Sequence, residues 1–169
     1  MALNDDIEVL GQAPLFHLLD RDALRLLAFA ADHRSLSAGD VLFRKGDRSD
    51  GGYVVARGAV ALDAAEDGSS PAFIAGPGAL IGQTALFARL ARPATATARE
   101  PSAVLRITPS LMRRVLEEFP SAAAAIEQAL ADDLAQLTDG LDRVRDLLLA
   151  IDGEAGIDAG TDGEPGASP

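Results

Sequence analysis

The stretch Gly78–Thr97, GALIGQTALFARLARPATAT, decides how this chain is read. It opens on a Pro77-Gly78 turn, passes a second tight point at Gly82, and presents a short apolar helix-like run from Thr84 to Leu90. A single arginine, Arg92, follows, and the small residues Pro93-Ala94-Thr95-Ala96-Thr97 come directly behind it. A lone basic side chain set before such a run does not belong to an ordinary solvated face. The rest of the chain is therefore placed around it.

Upstream, the periodicity is that of short strands. Val41 and Phe43 bracket Leu42, Gly46-Asp47 makes a turn, and Tyr53–Ala56, Arg57-Gly58 and Ala59–Leu62 read as strand, turn, strand. Asp67–Ser70 is a polar loop before Pro71–Ile74, and Ser102–Ile107 supplies a last strand. Many short strands with glycine at their corners predict an antiparallel sandwich or jelly roll. Ahead of them lies a short amphipathic segment, Leu3–Leu10, with a break at Gly11 and Pro14. Asp20 then caps a helix carrying Ala23, Leu24, Leu26, Leu27 and Phe29. His17 and His33 flank this region and read as surface or boundary side chains with a hydrogen bond.

Downstream, Thr108-Pro109-Ser110 starts a helix that ends at Pro120. Ser121 then caps a run to about Ala150, and thirty helical residues span about 45 Å, more than the body needs. Its apolar positions, Ile126, Leu130, Leu134, Leu137, Leu141, Val144 and Leu148, are spaced 4, 4, 3, 4, 3 and 4 apart. That is a heptad seam for most of its length. Two uses fit it: a parallel coiled coil with a second copy, or a stripe lying along its own body. Gly140 interrupts the run at a cost of about 1 kcal/mol relative to alanine.

The whole chain has 169 residues and a net charge of −11. Residues 1–120 hold 15 acids and 13 bases, 121–150 hold 6 and 2, and 151–169 hold 5 and none, so the acidity sits at the C-terminal end. No basic stripe offsets it, which argues against nucleic acid as a partner. Cysteine is absent, which removes disulfides, thiolate catalysis and thiolate-ligated zinc. Two histidines are too few for an all-histidine metal site. No nucleophile–base spacing is visible, and the pairs Asp5-Asp6, Glu117-Glu118 and Asp132-Asp133 read as solvated faces, so an enzyme is not expected. The acidic start MALNDDIEVL is not a secretory leader, and no window approaches the 18 or more apolar residues of a membrane span. A cytoplasmic protein is expected.

Together these segments resemble the cyclic-nucleotide-binding domain of the Crp/Fnr type, over about residues 10–150. Gly39, Gly46-Asp47, Asp50, Tyr53 and Gly58 match the family's first signature of glycine corners, aspartates and a tyrosine strand. Ile81-Gly82-Gln83-Thr84-Ala85-Leu86, followed by Arg92-Pro93-Ala94-Thr95-Ala96, matches its phosphate-binding cassette. The resemblance implies a mainly β fold with helices: an eight-stranded antiparallel β-roll, jelly-roll-like, flanked by N-terminal helices and a long C-terminal helix. The expected organisation is a β-roll with its helices over 1–120, a dimerisation or lid helix over 121–150, and an acidic disordered tail over 151–169.

The resemblance also implies a site. Arg92 matches the arginine that binds the cyclic phosphate, a job suited to a guanidinium fork. Gly82 and Ala85 match the backbone contributors, Thr84 lies between them, and Thr138 occupies roughly the place from which the long helix approaches the purine. Two positions depart from the pattern. Gln83 stands for a glutamate that accepts from the ribose 2′-hydroxyl, so the bond loses its charge assistance. Pro93 stands where a backbone N–H often meets the phosphate, and proline has none. An alternative use of Arg92 is a buried ion pair, and Arg89 is a reserve candidate. No helix-turn-helix segment follows the long helix.

The expected function is a stand-alone sensory module that takes cAMP or cGMP, requires no cofactor or metal, forms a homodimer through residues 121–150 and signals to a protein partner. The alternatives are a degenerate module that binds no nucleotide and serves in protein interaction or oligomerisation, and a relative of the DNA-binding regulators that works through a partner. An open gap where Arg92 and Gln83 converge favours sensing; a filled pocket with Arg92 paired internally favours the degenerate module.

Overall fold

The computed structural model describes residues 2–65 and 73–155, in two units, Met1–Glu127 and Gln128–Pro169. In the first unit, helix α1 (Leu3–Gln12) and helix α2 (Arg21–Ala30) precede the strands. The Asp20 carboxylate caps α2 by accepting from the Ala23 N–H at 2.8 Å, which satisfies one of the orphan donors of the first turn. Both helices bury one stripe, Ile7, Val9 and Leu10 on α1 and Ala23, Leu24 and Leu27 on α2. Asp6 departs from its expected solvated role. It is buried, and its Oδ2 meets His33 Nε2 at 2.8 Å, a bond that ties α1 to the first strand.

Among the described residues eight strands follow: β1 Asp32–Leu36, β2 Val41–Phe43, β3 Gly52–Arg57, β4 Val60–Asp63, β5 Phe73–Ala75, β6 Leu80–Ile81, β7 Thr95–Ala98 and β8 Ser102–Ile107. The polar loop expected at 67–70 lies outside the described residues. All pairings are antiparallel, but the eight-stranded, jelly-roll-like β-roll that the resemblance implied is not what forms. The strands make two open four-stranded sheets, ordered β1-β8-β3-β6 and β2-β7-β4-β5. Closure needs a continuous ladder from sheet to sheet. Among the described residues β6, two residues long, pairs only with β3, and the edges β1, β6, β2 and β5 carry no ladder across to the other sheet.

The sheets pack through their inward faces. Tyr53, Val55, Ile81 and Val104 of the first and Val60, Ala75 and Ala96 of the second form one buried cluster, edged by Leu36, Phe43 and Leu62. The alternation of β7, with Ala96 and Ala98 buried and Thr95 and Thr97 half-buried, is the period-2 signal of such a strand. Helix α3 (Pro109–Glu118) starts at a Thr108 cap with proline in its first turn. Helix α4 (Pro120–Ala155) begins one residue ahead of the expected Ser121 cap, because proline's missing N–H falls among the donors that have no helical partner.

The second unit is the continuation of α4. Leu134, Leu137, Leu141, Val144 and Leu148 are all exposed along it. Of the acidic tail expected at 151–169, residues 151–155 continue the helix and 156–169 lie outside the described residues. Among the described residues, no helix is long and apolar enough to cross a membrane.

Candidate functional site

Gly82 and Arg92 meet in the first unit. Gly82 closes β6 in the left-handed conformation (φ 74°, ψ 54°) and caps a short 3-10 turn, Gln83–Leu86. Only glycine takes that conformation without strain. The turn is closed by the Ala85 N–H donating to the Gly82 carbonyl at 3.0 Å, and it buries Ala85 and Leu86. Gln83 is half-buried and Thr84 exposed. Among the described residues, the N–H groups of Gln83 and Thr84 meet no acceptor, as befits the first turn of a helix.

The chain returns through Arg92, whose N–H donates to the Asp47 carbonyl and whose carbonyl accepts from the Gly46 N–H, both at 2.8 Å. Its side chain, 3% exposed, turns inward. The guanidinium lies 4.1 Å over the Phe43 ring and 5.5 Å from the centre of Tyr53, contacts that suit a flat, weakly hydrated cation. Nη2 donates to Asp50 Oδ1 at 3.0 Å and to the Gly51 carbonyl at 2.7 Å. Nη1 faces Gly82.

Asp50 is the hub behind this arginine. Besides Arg92 it accepts from Arg106 Nη1 at 2.8 Å and from the Tyr53 hydroxyl at 3.0 Å, and Arg34 Nη2 stands 3.6 Å away. Arg106 also donates to Asp32 at 2.8 Å, since the register sets it between Asp32 on β1 and Tyr53 on β3. Burial by itself would raise the Asp50 pKa. The bonds from Arg106 and Tyr53 and the charges of Arg106 and Arg34 outweigh it, so the carboxyl titrates below its ordinary range. Burial, then the Asp50 charge, pushes the Tyr53 hydroxyl up.

Beside the guanidinium is a cavity of about 70 Å³, lined by Arg92, Gly82, Ile81, Phe43, Leu62 and the Pro93-Ala94 arm. Pro93 is exposed on the outside of that arm. Gln83 does not line it. A larger hollow of about 170 Å³, with His33, Ser35 and Arg57 among its lining, lies on β1, β3 and β8 and includes no cassette residue. Arg89 is exposed. Thr138 belongs to the second unit, where its hydroxyl donates to the Leu134 carbonyl of its own helix at 3.0 Å. Among the described residues, no cluster of three metal-ligating side chains occurs.

The profile described as "Cyclic nucleotide-binding domain" matches residues 33–119, which span both sheets, the cassette and α3. The chain belongs to the cyclic nucleotide-binding domain family. Among solved structures it is similar to a cyclic nucleotide-binding-like protein from Brucella abortus, at 39% identity over 67% of this chain and 98% of that one, with a TM-score of 0.60. It is also similar to the N-terminal domain of a transcriptional regulator from Streptomyces coelicolor, at 33% identity over 79% and 94% of the two chains, with a TM-score of 0.72. The cAMP complex of the regulatory domain of Toxoplasma gondii PKA shares the fold at 23% identity, over 67% of this chain and 44% of that one, with a TM-score of 0.60. No curated protein matches. The cyclic nucleotide-binding domain is a regulatory, sensory module and not a catalyst, and that is the class of this chain.

Sequence reasoning singled out Arg92 and Gly82 but missed most of what surrounds them. Arg34, Arg106 and Ser49 carried no signal of their own, and Phe43 looked like one more strand residue. Asp50 and Tyr53 were visible only as members of a signature. The alternation of β1 and β8 turns Arg34 and Arg106 away from the face that carries His33 and Leu105.

Proposed function

We propose that the module senses a cyclic nucleotide, cAMP or cGMP, whose phosphate pairs with Arg92 and with backbone donors of the Gly82–Ala85 turn. In this reading Thr84 contributes its N–H and Gln83 accepts from the ribose 2′-hydroxyl. The helix of the second unit pairs with a second copy, and the bound state is passed to a protein partner. One observation carries the reading: Arg92 is buried yet keeps an edge of its guanidinium against a glycine turn and a cavity. A cation held there by aromatic rings and one carboxylate is pre-positioned for an anion.

A second reading rests on equally specific observations. Asp50 already takes one edge of Arg92, and a cavity of about 70 Å³ is well below the roughly 300 Å³ or more of small-molecule sites. A nucleotide fits only if the cavity widens. On this reading Arg92 is a structural ion pair and the module works by protein contact alone.

Calorimetric titration with cAMP and cGMP separates the two, run on the wild type and on Arg92→Ala, with melting curves to verify folding. Dissociation constants below about 100 μM that vanish in the folded variant support sensing. No heat and no thermal shift with either nucleotide leaves the degenerate reading.

A further inference from the structure

The cassette arm that delivers Arg92 is clamped to the Gly46–Asp50 loop. Arg92 N–H donates to the Asp47 carbonyl, Gly46 N–H to the Arg92 carbonyl, and Ser49 N–H to the Leu90 carbonyl, each at 2.8 Å, around an antiparallel bridge between Arg48 and Ala91. A regular ladder would answer the Leu90 N–H with the Ser49 carbonyl. Instead it donates to the Ser49 hydroxyl at 2.9 Å, and that hydroxyl approaches the Ala88 carbonyl at 3.4 Å. The Ser49 residue is 4% exposed. A side chain therefore completes the rung that the backbone leaves open, two residues ahead of Arg92.

We propose that Ser49 is a positioning residue for anion binding by Arg92. The inference rests on the nucleotide-sensing reading. The same loop holds both ends of the arginine: Gly46 and Asp47 grip its backbone, and Asp50 and Gly51 grip its guanidinium. Ser49 lies between these grips and pins the arm to the loop, so the arginine is ordered before any ligand arrives. Preorganisation of this kind lowers the ordering cost of binding, which matters in a cassette where Pro93 offers the phosphate no N–H. An alanine at 49 leaves the Leu90 N–H, whose bond to Ser49 is part-buried, without its partner, and an unanswered donor costs free energy.

The test is Ser49→Ala, measured by titration with cAMP and cGMP and by amide hydrogen exchange. The expected result is a rise of about tenfold in both dissociation constants, the effect of one lost hydrogen bond. Exchange should speed up at Leu90 and Arg92 and stay unchanged in β3 and β8. The same change in an Arg92→Lys background should cost clearly less, because a lysine has no fork to orient. Equal losses in both backgrounds, or faster exchange throughout the first unit, overturn the proposal in favour of a plain stability role. Unchanged affinity overturns it as well. If the wild type binds neither nucleotide, the sensing reading fails and the exchange measurement still decides whether Ser49 pins the arm.

Discussion

Gly82 and Arg92 fit each other so closely that a Cβ on Gly82 would stand 2.7 Å from Nη1 of Arg92. The backbone at Gly82 is also left-handed, φ 74°. Gly82→Ala therefore meets two penalties, strain of about 1–2 kcal/mol and displacement of the guanidinium. The expected outcome is a loss of about 2 kcal/mol in chemical denaturation together with loss of nucleotide binding. An alanine variant that binds as the wild type does would remove Arg92 Nη1 from the site.

The partner of that arginine is the next lever. Asp50→Asn keeps the shape but leaves a side chain that is 3% exposed carrying an unmatched positive charge. Breaking a buried pair from one side costs several kcal/mol. Asp50 itself is 46% exposed, and water screens part of the interaction, so a loss of about 2 kcal/mol is expected. Urea unfolding at neutral pH measures it. If the sensing reading holds, this variant should also bind cyclic nucleotide more weakly, because it removes the Asp50 bond that orders the guanidinium before the ligand arrives.

The same carboxylate sets an acid limit. Its pKa in the folded protein lies below the ordinary value, so its ionised form favours folding. That contribution is complete above the unfolded pKa of about 3.9 and is lost as pH falls through the folded one. The difference in unfolding free energy between wild type and Asp50→Asn should hence be constant from pH 5 to 7 and shrink below about pH 4. A difference that grows in acid would show that Asp50 does not lose its partners there.

How much of this was legible in the sequence follows from the range of each interaction. Local chemistry was readable: the Asp20 cap, the helix start at Thr108 and the Gly82 turn all come from residues within a few positions of one another. The Asp50 hub joins residues 42 and 56 positions apart, and nothing near Arg34 or Arg106 marks them as its partners. Asp6 looked solvated because it forms an acidic pair with Asp5, yet the fold buries it against His33. Strand pattern also did not reveal that the sheets stay open, since closure depends on whether a two-residue β6 reaches beyond β3.

The second unit carries its own prediction. Leu134, Leu137 and Leu141 are each about two-thirds exposed, and a stripe spaced as a heptad seam is best satisfied by an identical stripe. Light scattering should report a dimer at micromolar concentration. Leu137→Asp should weaken it by about 3 kcal/mol, roughly a hundredfold, with the melting of the first unit unchanged. A wild-type monomer would mean that something other than a second copy covers the stripe.

Gln83 offers a gain of function. If it accepts from the ribose 2′-hydroxyl, its amide oxygen makes a neutral bond where a carboxylate would make a charge-assisted one, about twice as strong. Gln83→Glu should then tighten cAMP by about 1 kcal/mol, roughly fivefold. The carboxylate also pays to leave water at a half-buried position, and the net charge of −11 opposes an anionic ligand a little more. Both effects act alike on cAMP and on 2′-deoxy-cAMP, whereas the new bond exists only with the hydroxyl. The informative quantity is therefore the ratio of the two dissociation constants, which should widen about fivefold in the variant. A ratio that stays fixed while both affinities change would take residue 83 away from the ribose and leave it acting through general electrostatics alone.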